Sequence, residues 1–260
     1  MQTHKIVSHE DWVAARKAHL KNEKALTRMR DLVAAERRAL PWVKVEKRYV
    51  FDTPEGKETL ADLFGGRSQL IVYHFMWRWD LDSGCPSCSF LADHFDGANL
   101  HLTHHDVSLG VITRAPVAKF APYVKRLGWR FEWASSYENE FNFDYHVSFT
   151  KDDLAKGRIY YNYDIIEDTK YHFDELPGVS VFYKDEKGDI FHTYSSYARG
   201  AEEILGAYMV LDLTPKGRNE TGPNHNLTDW VRHHDRYDHD YRVDAEAGYV
   251  EPSKRHECCG

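Results

Sequence analysis

The spacing of apolar and polar residues changes period several times along this chain, and each change marks an element. Leu26, Met29, Leu32 and Val33 recur at helical spacing among arginines and lysines, which predicts a long N-terminal helix with one solvated face. Ser8 is placed to cap it, Asp11 follows three residues on, and Pro41 stops it. Residues 1–42 are thus expected to form a helical extension packed on the main domain. Tyr49, Val50 and Phe51 read as a strand, Thr53-Pro54-Glu55-Gly56 as a turn, and Leu60 to Phe64 as a short helical piece. The run Leu70 to Phe75 is apolar almost throughout, the pattern of a central strand buried on both faces. A helix carrying Phe90, Leu91 and Phe95 is predicted after Cys88, and a second buried strand over Val107 to Ile112. Pro116 suits the first turn of another helix, and Gly128 suits its end.

This order places a β-α-β-α unit over residues 68–128, and its crossover implies parallel strands. Residues 129–178 are rich in aromatics, among them Phe131, Trp133, Phe141, Phe143, Tyr145 and Phe149. Without clear periodicity they read as an insertion packed on the sheet, in preference to an aromatic ligand pocket. Val179 to Lys184 and Ile190 to Tyr194 are predicted strands around an Asp185-Glu186-Lys187-Gly188 turn, and a helix follows with Ile204, Leu205, Tyr208 and Leu211 on one face. Two antiparallel strands and a helix after a β-α-β unit is the order of a thioredoxin-like α/β domain, a mixed central sheet flanked by helices, here over residues 43–213. From Thr214 on, Pro, Gly, Asn, Asp and His dominate, so 214–260 is expected to be an irregular tail with little core-forming capacity.

Charge narrows the function classes. A formal charge of -7 leaves no basic footprint for nucleic acid. No apolar stretch approaches a membrane span, and residues 1–5 lack the apolar region of a signal peptide. A cytoplasmic location is expected, where close cysteine pairs serve redox or metal chemistry more often than structural disulfides.

The four cysteines form two such pairs. Cys85-Pro86-Ser87-Cys88 stands at the predicted strand-to-helix turn, where backbone N–H groups favour a thiolate. Cys85 would attack a disulfide, and Cys88, one helical turn on, would resolve the mixed disulfide. Asp80, Asp82 and Asp93 would oppose thiolate formation if close, and Trp77 and Trp79 would shield the site or simply pack. The second pair, Cys258-Cys259, precedes Gly260. It resembles a terminal relay dithiol, and a flexible tether of about 45 residues would reach roughly 35 Å, although an incidental pair explains it as well. His225, His233, His234 and His239 lie among aspartates in the tail. With Cys85 and Cys88, the last three offer a donor set for copper or zinc; a polar segment docked by Trp230 and Tyr237 is the plainer reading. His101, His104, His105 and Asp106 fit a helix C-terminus. Arg114, beyond a strand C-terminus, is a candidate pocket residue by analogy with open α/β sheets. Tyr194, Tyr197 and Arg199, before the last helix, either face the cysteines or pack and pair with an acid.

Several motifs together resemble a bacterial family known as domain of unknown function 899. They are Glu23-Lys24-Ala25-Leu26-Thr27-Arg28, Leu40-Pro41-Trp42, His74-Phe75-Met76, Gly84-Cys85-Pro86-Ser87-Cys88-Ser89-Phe90 and Thr113-Arg114-Ala115-Pro116. Gly178-Val179-Ser180-Val181-Phe182-Tyr183, Thr193-Tyr194-Ser195-Ser196-Tyr197-Ala198-Arg199-Gly200 and Leu211-Asp212-Leu213-Thr214-Pro215 continue the series, so the resemblance spans about residues 8–240. It implies a thioredoxin-like fold and no particular reaction. Against the W-C-G-P-C of thioredoxins, Gly84 replaces the Trp and Pro86-Ser87 the inner pair. The Thr of the peroxiredoxin P-x-x-x-T-x-x-C pattern is replaced by Asp82 counting from Cys85, or by Cys85 counting from Cys88, which argues against direct peroxidase chemistry of that kind. The cis-Pro of thioredoxins would correspond to Pro177. Three readings stay open: a thiol–disulfide oxidoreductase without a cofactor, acting on a small or protein disulfide; a copper- or zinc-binding protein; and a non-catalytic thioredoxin-like module. The oligomeric state is not legible.

Overall fold

The computed structural model describes residues 4–77, 83–167, 174–218 and 230–237, and the backbone of 242–244 and 248–250. The chain divides into two compact units, Met1–Trp42 and Val43–Gly260. The first is built on α1 (His9–Arg38), capped as the sequence predicts, with the Asp11 N–H donating to Ser8 Oγ at 3.1 Å.

The second unit is organised by an eight-stranded mixed sheet. Its strands are β1 (Val43–Lys44), β2 (Val50–Thr53), β3 (Gly56–Thr59), β4 (Gln69–Phe75), β5 (Val107–Thr113), β6 (Glu132–Ser135), β9 (Gly178–Lys184) and β10 (Ile190–Tyr197), in the order β1-β10-β9-β4-β5-β6-β2-β3. The strands β7 (Arg158–Tyr161) and β8 (Asp164–Glu167) form a separate hairpin. β4 is central, parallel to β5 with Ile71 opposite Leu109, and antiparallel to β9 with Ile71 opposite Val181. Its apolar run therefore serves two cores. Tyr73 and Phe75 face one cluster, Leu70 and Val72 the other, and each fully buried side chain of this size stabilises the fold by about 1.5–3 kcal/mol.

Helices α2 (Pro86–Ala92), α3 (Phe95–Thr103) and α4 (Val117–Leu127) connect the parallel strands, and α5 (Phe141–Asp144) and α6 (Lys151–Ala155) lie in the insertion. β10 leads through a 3-10 segment, Ala198–Ile204, into α7 (Gly206–Leu211). The β4-α2-α3-β5-α4 unit followed by β9-β10-α7, with sheet order β10-β9-β4-β5, is the thioredoxin fold. Gly128 ends α4 at φ 68, a conformation that favours glycine.

Four expectations need correction. The helix after Cys88 is two helices. At the break, the backbone N–H of His94 bonds back only three residues, to the Leu91 carbonyl at 3.1 Å, while His94 Nδ1 meets the Phe90 carbonyl at 2.8 Å. Ile204 lies in the 3-10 segment and is exposed, so the last helix buries Tyr208 but not Ile204. The aromatic segment is not merely packed on the sheet: Glu132–Ser135 joins it as β6, parallel to β5, and Trp133 stacks on Trp129 at 5.6 Å. The tail is not wholly outside the core, because Val231 and His233 are buried and Trp230 packs on Phe90 and Tyr208. Among the described residues no helix is long and apolar enough to cross a membrane.

Candidate active site

β4 ends at Phe75, and the chain returns through a bridge between Trp77 and Gly84 before α2 begins. Gly84 is required there: a Cβ on it would come within 2.5 Å of the Phe75 ring and 3.0 Å of Tyr123. Cys85 follows as the residue preceding α2, its N–H donating to the Met76 carbonyl at 3.2 Å. Pro86 takes the first helical position, where a missing N–H leaves nothing unpaired. Ser89 fixes the turn from below. Its hydroxyl donates to the Cys85 carbonyl at 2.7 Å and accepts from the Tyr123 hydroxyl at 2.6 Å.

Both cysteines are free thiols, 6% and 2% exposed. Their environments push them apart. The Cys88 S–H and the backbone N–H groups of Cys88 and Ser87 donate to the Cys85 sulfur, together with the Ser87 hydroxyl, and outweigh burial to bring its pKa down to about 7. Burial and the neighbouring Cys85 charge push Cys88 well up, although the Tyr73 hydroxyl donates to its sulfur. Around neutrality Cys85 is therefore the sulfur that ionises, while Cys88 stays a thiol.

Glu175 stands beside this pair and was not foreseen in the sequence. It is 6% exposed, and its Oε2 accepts the Trp77 backbone N–H at 2.7 Å. Burial raises its pKa to about 7, against the Trp77 hydrogen bond and the Arg114 charge, with Asp174 and Cys85 adding to the rise. Arg114 Nη1 lies 3.5 Å from Asp174 Oδ2 and 4.0 Å from Glu175 Oε1, and its guanidinium covers the Phe143 ring. Its Nε is buried with no hydrogen-bond partner among the described residues. The only sequence signal for Glu175 was its place two residues before Pro177, at the entry to β9.

Of the remaining candidates, Pro177 and Arg199 line a cavity that Cys88 also lines. No peptide bond among the described residues is cis, so Pro177 is trans, contrary to the thioredoxin analogy. Arg199 is paired with Glu202 at 2.6 Å. Tyr197 is buried away from that cavity, its hydroxyl donating to the Tyr145 carbonyl at 3.0 Å. His233 comes close to the site: Nε2 meets the Gly84 carbonyl at 2.9 Å and the ring packs edge-on against Tyr123. His234 instead meets Asp93 at 2.6 Å, and Asp93 also accepts from the Trp129 indole. Trp77 is buried against Tyr123. Asp80, Asp82, Trp79, His225, His239, Cys258 and Cys259 lie outside the described residues. Among the described residues, no three His, Cys, Asp or Glu side chains are grouped so as to hold a metal ion.

No curated protein matches the sequence. Among solved structures, the chain is similar to peroxidoxin BcpB from Mycobacterium tuberculosis, with TM-score 0.43 and 12% identity over 65% of this chain and 96% of that one. A variant of peroxiredoxin Q from Xanthomonas campestris gives TM-score 0.42 and 11% identity, over 62% and 90% of the two chains. StoA from Bacillus subtilis gives 0.38 and 14%, over 62% and 96%. The family model described as "Bacterial protein of unknown function (DUF899)" matches residues 1–237, and the chain belongs to that family.

Proposed function

We propose that this protein is a thiol–disulfide oxidoreductase in which Cys85 is the nucleophile and Cys88 the resolving thiol. One observation carries the reading: two free, hydrogen-bonded thiols at a helix start, one held near pKa 7 and the other well above its ordinary value. A thiol pair kept only for packing gains nothing from that inequality, whereas exchange needs an attacking thiolate and a second thiol in reserve.

The reaction runs in two displacements. Cys85 thiolate attacks one sulfur of R–S–S–R, forms a Cys85–S–S–R bond and releases RS⁻. Cys88 then loses its proton, attacks the Cys85 sulfur and releases the second RS⁻, leaving a Cys85–Cys88 disulfide. The substrate has gained the two electrons that the thiols have lost; of the two protons on the RSH products one comes from Cys88, and the other, given up when Cys85 ionised, returns from solvent or from Glu175. Glu175 fits this sequence as a proton store. Once Cys85 is bonded and uncharged, the repulsion that helped hold a proton on Glu175 is gone, so its proton becomes available as the leaving thiolate needs one. A reducing compartment such as the cytoplasm would return the pair to the dithiol state.

The test compares Cys85→Ser with Cys88→Ser using a small disulfide. Cys85→Ser is expected to lower the turnover rate by more than about a hundredfold. Cys88→Ser is expected to accumulate a one-to-one mixed disulfide on Cys85, visible as a mass increase. In wild type, the first step should rise with pH around a midpoint near 7. Full and equal activity in both variants would end the proposal.

A further inference from the structure

A cavity of about 580 Å³ opens beside the thiols, within the size range of small-molecule pockets. Its walls come from distant parts of the chain, among them Cys88, Phe90, Leu91, Ile166, Leu176 and Tyr208. The cysteine in the wall is Cys88, the one that burial keeps neutral, while Cys85, the one that ionises more readily, is not part of the lining. The lining arginine is already engaged: Arg199 pairs with Glu202 at 2.6 Å, and Glu202 also accepts from Arg218 at 2.9 Å. Asp164, the other lining carboxylate, is exposed and accepts its neighbour's backbone N–H, that of Ile165, at 2.8 Å.

These features select against charge and for hydrocarbon. An anionic or zwitterionic disulfide would leave water for a largely apolar wall where, among the described residues, the one lining cation is already paired. An apolar arm would gain by burial, and its sulfur would lie next to Cys88, whose thiol is hydrogen-bonded to the attacking Cys85 sulfur. We infer that the cavity is the substrate pocket, and that the substrate class is a small uncharged disulfide with an apolar arm. This rests on the thiol–disulfide reading and adds what that reading leaves open, namely which disulfides react fast. The electron balance is that of the two displacements above, with the neutral disulfide as oxidant.

The test is a homologous series, dimethyl, diethyl, dipropyl and dibutyl disulfide, with cystine as the charged comparison and kcat/KM as the readout. Each methylene added to the buried arm is expected to raise kcat/KM by about fourfold until the cavity is filled, and cystine is expected to fall below dimethyl disulfide. Ala201→Trp fills the cavity and should bring the dibutyl-to-dimethyl ratio down towards one. Ile166→Lys, on a half-exposed position of β8, should lower the same ratio and serves where circular dichroism shows the first variant unfolded. A flat series, or a preference for cystine, overturns the pocket and leaves the oxidoreductase standing. If no disulfide reacts and oxidised dithiothreitol fails to form the Cys85–Cys88 bond, the underlying reading falls and the pocket with it.

Discussion

The two faces of β4 bury titratable groups in opposite ways. On one face His74 is fully enclosed, stacked on Phe141 and Tyr145. Its Nδ1 faces Asn142 Oδ1 at 3.1 Å and its Nε2 faces Ser180 Oγ at 2.9 Å. The line continues from Ser180 to Ser195 at 2.8 Å and from Ser195 to His192 Nε2 at 2.7 Å. One neutral tautomer of His74, with its proton on Nδ1, satisfies both ring nitrogens, and burial holds its pKa down to about 4. On the other face Cys85 and Glu175 titrate close to neutrality, with Cys88 held well above it, beside an open cavity. A buried polar group is therefore not by itself a sign of chemistry. A closed network whose members all have partners specifies the core, while groups left poised between two protonation states beside a space for ligand have the properties that catalysis uses.

The sharpest way to break this comparison is His74→Leu. It leaves the Asn142 side-chain carbonyl without its His74 partner and takes one of two partners from the Ser180 hydroxyl, and should cost up to about 4 kcal/mol in urea unfolding. The folded variant should keep its disulfide-exchange rate within about twofold; loss of exchange would erase the distinction between the faces. A second test uses pH. His74 is held below its ordinary 6.5, so the stability it contributes is present above that value and is lost as pH falls towards about 4. Glu175 is held above its ordinary 4.5, so its contribution is present below that value and is lost as pH rises through about 7. Glu175→Gln should therefore gain on wild type by about 3 kcal/mol between pH 4.5 and 8 in urea unfolding. Parallel pH curves for the two proteins would remove Glu175 from the titrating set. The smallest effect is expected of Tyr73→Phe, which removes the hydroxyl donated to Cys88 and costs about 1 kcal/mol. Decay of the mixed disulfide should slow by about three- to tenfold, measured in single turnover, with the first displacement little changed.

The primary sequence carried what depends on near neighbours. Leu70 to Phe75 read as a doubly buried strand because six consecutive residues hold that information, and Ser8, Pro86 and Gly128 marked helix ends because capping is a matter of one turn of backbone. The Cys-x-x-Cys spacing placed two thiols at a strand-to-helix turn for the same reason. Folding alone decided what those thiols are next to. Glu175 reaches Trp77 across 98 positions of chain, and His233 reaches Gly84 across 149. The break after Asp93 depends on partners as remote, since Asp93 is taken by Trp129 and His234, and His94 by the Ala207 N–H. Four residues of β6 were too few to show a period among surrounding aromatics. Hydrogen bonding and desolvation act through space over a few ångströms, so the cavity and the unequal thiol pKa values exist only once the sheet has brought these segments together.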